Sequence, residues 1–197
     1  PAEHSLHDLT RRSTDLADYL AEQIVADLPD DLQHFLRQSA IAERISPGLA
    51  DAITGGSNGQ VQLDRLHRLN LLVTPLDEDG IWFRYHPLLR EYLCNILAIR
   101  EGEHLDLLHG RAARWFAAAG YLADALQHAA RISDPEAGLQ IMEAAGGWRV
   151  ALTGGLAILR HLEGVALDDP LRWPRVWLAQ AYLAAQQGRL DEARTAI

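Results

Sequence analysis

Apolar residues recur every three or four positions through most of this chain and alternate over one short stretch only. "STDLADYLAEQIVADL" sets Leu16, Tyr19, Leu20 and Ile24 on one helical stripe, with Ser13 or Thr14 placed to cap it. Pro29 ends that pattern, and Leu32, Phe35 and Leu36 begin a second helix. "SPGLADAITGG" predicts a short third helix, with Ser46 as cap, Pro47 at its first position and Gly55 as its stop. "GQVQLDRLHRLN" predicts a fourth, with Leu63, Leu66 and Leu69 inward.

The alternation follows. "LLVTPL" and "IWFRYH" are β-prone runs on either side of "DEDG", an acidic turn closed by a glycine. On the second run Ile81, Phe83 and Tyr85 share one face, and Trp82, Arg84 and His86 share the other. Pro87 then opens a helix carrying Leu88, Leu89, Tyr92, Leu93, Ile96 and Leu97. Helices, a hairpin and a closing helix make a winged-helix arrangement. His86 falls at the N-cap of that closing helix. It can act there as a plain cap or packing residue. It can also serve a bound phosphate, because a helix N-terminus offers free N–H groups to an anion and an imidazole can add a hydrogen bond.

From His104 onward strands give way to alanine-rich helices. Gly120, Gly154 and Gly188 are 34 residues apart, each followed two positions later by a leucine: Leu122, Leu156 and Leu190. Ala113, Gly147 and Ala181 stand seven positions before them, and Ala125, Leu159 and Ala193 five after. A 34-residue period of paired helices is the tetratricopeptide spacing, and such repeats stack into a solenoid with a concave face. Arg114, Trp148 and Tyr182 stand six residues before the glycines. One period apart, they form a candidate row lining a groove for a peptide or small ligand, although Trp148 fits a core position equally well. The fold class is therefore mainly α, a winged-helix domain with a small β-hairpin followed by a tetratricopeptide-like solenoid. Residues 1–13 read as a loose or cut linker, 14–100 as the winged helix and 101–197 as truncated helical repeats, with a junction near 98–104. Both ends read as cut, which makes the chain a fragment of something longer.

Composition narrows the function. The formal net charge is −9 and the pI about 5.4, against a phosphate backbone as direct partner. The helix "GQVQLDRLHRLN" sets Arg65 and Arg68 against Asp64, and the wing tip is acidic, which weighs against a DNA-reading winged helix. Cys94 is the single cysteine, so neither an intrachain disulfide nor a Cys-based zinc site is expected. It lies in an apolar helix without the positive charge that makes a thiol reactive. His4/His7 and His104/His109 lack the carboxylate of a zincin pattern, and no nucleophile cluster is readable. No metal site and no enzyme is expected. No apolar stretch reaches membrane length, and no signal peptide is visible.

The segments beginning "ADYLAEQIVADLPDDLQHFL", "LHRLNLLVTPLDEDGIWFRYHPLLREYL" and "HGRAARWFAAAGYLADALQHAARI" resemble, in that order, the middle of the large ATP-binding LuxR-type transcriptional activators, the maltose-regulon-activator-like STAND NTPases. The resemblance covers about Asp15 to the end. It implies a cytoplasmic regulator with an upstream P-loop NTPase module that binds ATP or ADP, this winged helix, a sensor for a small-molecule inducer or regulatory protein, and DNA contact through a separate C-terminal domain. It also implies a role for His86. Related STAND proteins carry a Met-His-Asp motif whose histidine contacts the β-phosphate of ADP. "YHPLL" places His86 there, with Tyr85 for Met and Pro87 for Asp, so the match rests on one residue and its setting. The chain has no G-x-x-x-x-G-K-[ST], and "TGGSNGQ" lacks the lysine, so no ATP hydrolysis is expected of it alone. A free-standing tetratricopeptide adaptor is the alternative.

Overall fold

The computed structural model describes residues 22–69, 73–134, 136–145, 167, 169 and 171–191. It divides into two compact units, Pro1–Leu108 and His109–Ile197. The first is a winged helix, and helices follow it.

After a helical segment at 22–26, the first unit runs α1 (Asp30–Ser39), α2 (Pro47–Thr54), α3 (Gly59–Arg68), β1 (Val73–Pro75), β2 (Phe83–Tyr85) and α4 (Pro87–Glu101). Asp30 and Asp31 sit in the first turn of α1 and Arg37 in its last, matching the helix dipole. The Ser46 hydroxyl accepts from the Leu49 N–H at 3.3 Å, and Gly55 ends α2 at φ 73°. α2 and α3 approach so closely that a Cβ on Gly59 would lie 2.5 Å from the Pro47 carbonyl oxygen. Gly59 also donates to the Asp51 carboxylate at 2.7 Å.

β1 and β2 pair antiparallel, Val73 opposite Tyr85 and Pro75 opposite Phe83. On its other side Phe83 exchanges two backbone hydrogen bonds with Ile45, at 2.8 and 2.9 Å. Leu32, Leu36, Ile45, Leu49, Ile53, Leu63, Leu66, Tyr85, Leu89, Leu93 and Leu97 are fully buried. Burying each leucine or isoleucine contributes about 1.5–3 kcal/mol before the cost of ordering the chain.

Four inward positions differ from expectation. Val25 is buried where Ile24 is only half-buried; Leu16, Tyr19 and Leu20 lie outside the described residues. Leu69 is exposed, because three-residue steps drift about 60° backwards each time and Leu69 is already the cap of α3. Gln62 takes the buried place, donating to Asp31 at 3.2 Å. Ile81 is exposed because the strand starts only at Phe83. At 81–82 the backbone still curls around Asp77, whose carboxylate accepts from the Ile81 and Trp82 N–H groups at 2.7 and 3.1 Å. Leu88 is exposed because the buried stripe of α4 is the four-residue series Leu89, Leu93 and Leu97.

Residues 98–104, the expected junction, run through the end of α4 into a 3₁₀ turn, Gly102–His104. α5 (Leu105–Ala118) contains the division between the units. α6 (Leu122–Ala129), α7 (Glu136–Ala144) and α8 (Pro174–Gln186) complete the described helices of the second unit. Leu126, Leu139, Met142, Val176, Ala179 and Leu183 form its core. Glu143 of α7 accepts from the Arg175 and Val176 N–H groups at 2.9 and 3.1 Å, capping α8 from outside its own sequence.

Candidate functional site at the strand-to-helix corner

The chain turns from β2 into α4 at His86. Neighbours on both sides hold the corner. The Tyr85 ring is 1 % exposed, and its hydroxyl lies 2.7 Å from Ser39 Oγ at the end of α1. Ser39 in turn donates to the Phe35 carbonyl at 2.6 Å. That commits the single serine hydrogen, so Tyr85 is the donor to Ser39. Burial holds the Tyr85 phenol well above its ordinary ionisation range. One turn into α4, the Arg90 guanidinium donates to the Ala42 and Ile41 carbonyls at 3.2 and 3.3 Å. Cys94 donates to the Ala40 carbonyl at 3.3 Å, so this half-buried thiol helps to satisfy the open end of α1.

His86 itself is exposed. Its carbonyl accepts the Arg90 N–H at 3.0 Å and its Nδ1 accepts the Leu88 N–H at 3.3 Å, while Pro87 needs no partner at the first helical position. An accepting Nδ1 is unprotonated, so in the neutral ring the hydrogen sits on Nε2. Capping and anion recognition are therefore compatible uses of one side chain: Nδ1 serves the helix and Nε2–H is a donor.

The reading face of α3 is different. Arg65 is bound to Asp31 at 2.6 Å and to Gln62 at 2.9 Å. The hydrogen bond from Arg65 is the main reason the Asp31 carboxyl lies below the usual range. One of its two arginines is thus engaged within the fold, and the wing tip carries Asp77, Glu78 and Asp79.

In the second unit Arg114, on α5, and Tyr182, on α8, are both exposed. Trp148, the middle member of the expected row, lies outside the described residues, as do Gly154 and the pair His4 and His7. Gly120 and Gly188 occupy equivalent turns at φ 83° and 76°. Tyr121 N–H reaches the Phe116 carbonyl at 2.8 Å, and Arg189 N–H reaches Ala184 at 2.9 Å. Gly120 N–H reaches Ala117 and Gly188 N–H reaches Ala185, each at 3.1 Å. Both are the paired bonds of a Schellman motif, two repeat lengths apart. Ala113 and Ala181 are buried at matching places.

His104 and His109 do not converge: His104 is exposed, whereas His109 is buried against His128, a partner that spacing along the chain did not suggest. Also missed was Ser39 as the partner of Tyr85, 46 residues away. Among the described residues, no helix is long and apolar enough to cross a membrane. Residues 21–105 match the family model described as the MalT winged helix domain, which relates this part of the chain to MalT-like transcriptional activators.

Proposed function

We propose that the chain is the winged-helix domain and the start of a tetratricopeptide-like sensor from an ATP-dependent LuxR-type activator of the STAND class. It transmits inducer sensing to a nucleotide-controlled oligomerisation switch. The similarity of residues 21–105 to the MalT winged helix domain carries this reading. In it, His86 donates from Nε2 to a phosphate of ADP held by the NTPase module of the same parent chain, in the cytoplasm. The inducer, a small molecule or a regulatory protein, engages the helical repeats near Arg114, Trp148 and Tyr182. DNA is read by a separate C-terminal domain, and the fragment performs no chemistry of its own.

The test uses the full-length parent with two variants. His86→Ala removes both cap and donor, whereas His86→Asn keeps a good capping acceptor and removes the ring N–H. A hydrogen bond to a charged group is worth about 1.5–3 kcal/mol. Both variants should release ADP roughly ten- to a hundredfold faster and raise inducer-independent transcription. Only His86→Ala should also melt earlier. Wild-type ADP release from His86→Asn would sink the sensor role.

A second reading has its own support. The matching turns at Gly120 and Gly188 also suit a tetratricopeptide adaptor without catalytic or DNA-binding activity. The reading frame upstream distinguishes the two, since only the first requires a P-loop there.

A further inference from the structure

His109 on α5 and His128 on α6 face each other with their Nδ1 atoms 2.8 Å apart. Both are buried, at 7 % and 5 % exposure. Phe116 stacks on His128, with centroids 5.4 Å apart and ring planes 20° from parallel. The pair joins the two helices that meet at the Gly120 turn.

One ring must donate through Nδ1–H and the other accept on a bare Nδ1. A first proton enters at an Nε2 and leaves the shared bond intact and charge-assisted. A second must enter at the accepting Nδ1. Two N–H groups would then oppose each other at hydrogen-bond distance, with two like charges in a buried place. This follows from the Nδ1 contact itself, whatever the Nε2 atoms meet.

We infer that the His109–His128 contact is a proton-operated latch, holding α5 to α6 while the pair carries at most one charge and releasing them when a second proton arrives. The device lies outside the nucleotide and inducer contacts proposed above. Among the described residues, charged groups flank the pair along both helices. Asp106 precedes His109 by about one turn on α5, with Arg111 and Arg114 after it. Asp124 precedes His128 by about one turn on α6, and Arg131 follows it. α7, packed on α6, brings Glu136, bound by Arg172 at 2.7 Å, and Glu143, occupied at the start of α8. None of these groups makes room for a second N–H between the rings.

The closed hairpin binds one proton fewer than the open one. Its stability against opening therefore falls as pH falls, by up to about tenfold per pH unit once the second proton is taken up. An unperturbed imidazole takes its proton near about pH 6.5, which puts release on the acid side of neutrality.

Hydrogen exchange of the whole chain at pH 7.5 and pH 5, corrected for intrinsic rates, tests the latch. Amides of 105–132 should lose at least about tenfold protection at pH 5, while those of α1 to α3 keep theirs. His128→Asn, which can still hydrogen-bond His109 but takes up no proton, should keep the hairpin protected at pH 5. Should that variant not fold, a ¹⁵N titration of the imidazoles in the unaltered chain decides. The two rings should charge in separate steps, with opening at the second only. Unchanged protection at pH 5, equal loss in both units, the same loss in a folded His128→Asn, or both rings charging in one step with the hairpin intact would each overturn the proposal.

Discussion

Replacing Tyr85 by phenylalanine should weaken the chain at neutral pH and strengthen it in alkali. At pH 8 the change removes one buried hydrogen bond, Tyr85 to Ser39, and leaves the ring in place. Ser39 keeps its own bond to the Phe35 carbonyl, so no donor is stranded. The cost should be about 0.5–1.5 kcal/mol. Above the ordinary tyrosine range, near pH 10, the sign changes. The folded phenol resists ionisation because it is buried, whereas the unfolded phenol ionises freely. A group whose folded value is raised gives stability that is complete below the unfolded value and is lost as pH climbs past it. Each pH unit above about 10 then removes about 1.4 kcal/mol from the wild type alone. The other tyrosines are common to both proteins and cancel. The two stabilities should cross between about pH 10 and 11. Urea unfolding of both proteins from pH 8 to 11 measures this, and tyrosinate absorbance should show one of the five tyrosines ionising only on unfolding. A stability difference that stays constant to pH 11 would refute the reasoning, because Tyr85 would then ionise as readily folded as unfolded.

Gly59→Ala should destabilise the first unit by about 1–3 kcal/mol, because the new Cβ meets the Pro47 carbonyl of a packed backbone at 2.5 Å; a melting temperature equal to wild type would show that α2 and α3 can part freely. Glu143→Ala should cost about 1–2 kcal/mol through the two uncapped N–H groups of α8, seen as exchange rising first at residues 175–177; equal loss along α7 and α8 would mean that packing, not capping, was removed.

Local chemistry was readable from the sequence wherever a single residue dictates a backbone state. Ser46, Pro47 and Gly55 mark both ends of α2, and "DEDG" marks the hairpin turn. The corner at His86 follows from the change of period on either side of Pro87. What escaped depends on tertiary neighbours. Leu69 looked inward because its spacing from Leu66 is helical, but the helix stops there. Ile81 looked like a strand residue because alternation does not reveal that Asp77 gathers the 81–82 backbone into the turn. Ser39 carries no mark of its bond to Tyr85. For His109 the sequence offered only His104, five positions away and without a zincin carboxylate, while the partner His128 lies on the next helix, across a turn that only Gly120 announces.

The position of His86 gives the nucleotide reading its mechanical content. A sensing side chain on a loose loop would absorb the loss of a ligand by moving alone. Here the residue before it is pinned to α1 through Ser39, and Phe83 is bonded to Ile45. Four residues after it, Arg90 grips the Ile41 and Ala42 carbonyls. All three ties end in residues 39–45, the passage from α1 to α2. A force on the His86 ring is therefore delivered to that passage, and a corner that shifts must carry it along or break buried hydrogen bonds worth about 1 kcal/mol each. In a switch built this way, release of a phosphate favours a rigid movement of the winged helix over a local relaxation at its surface.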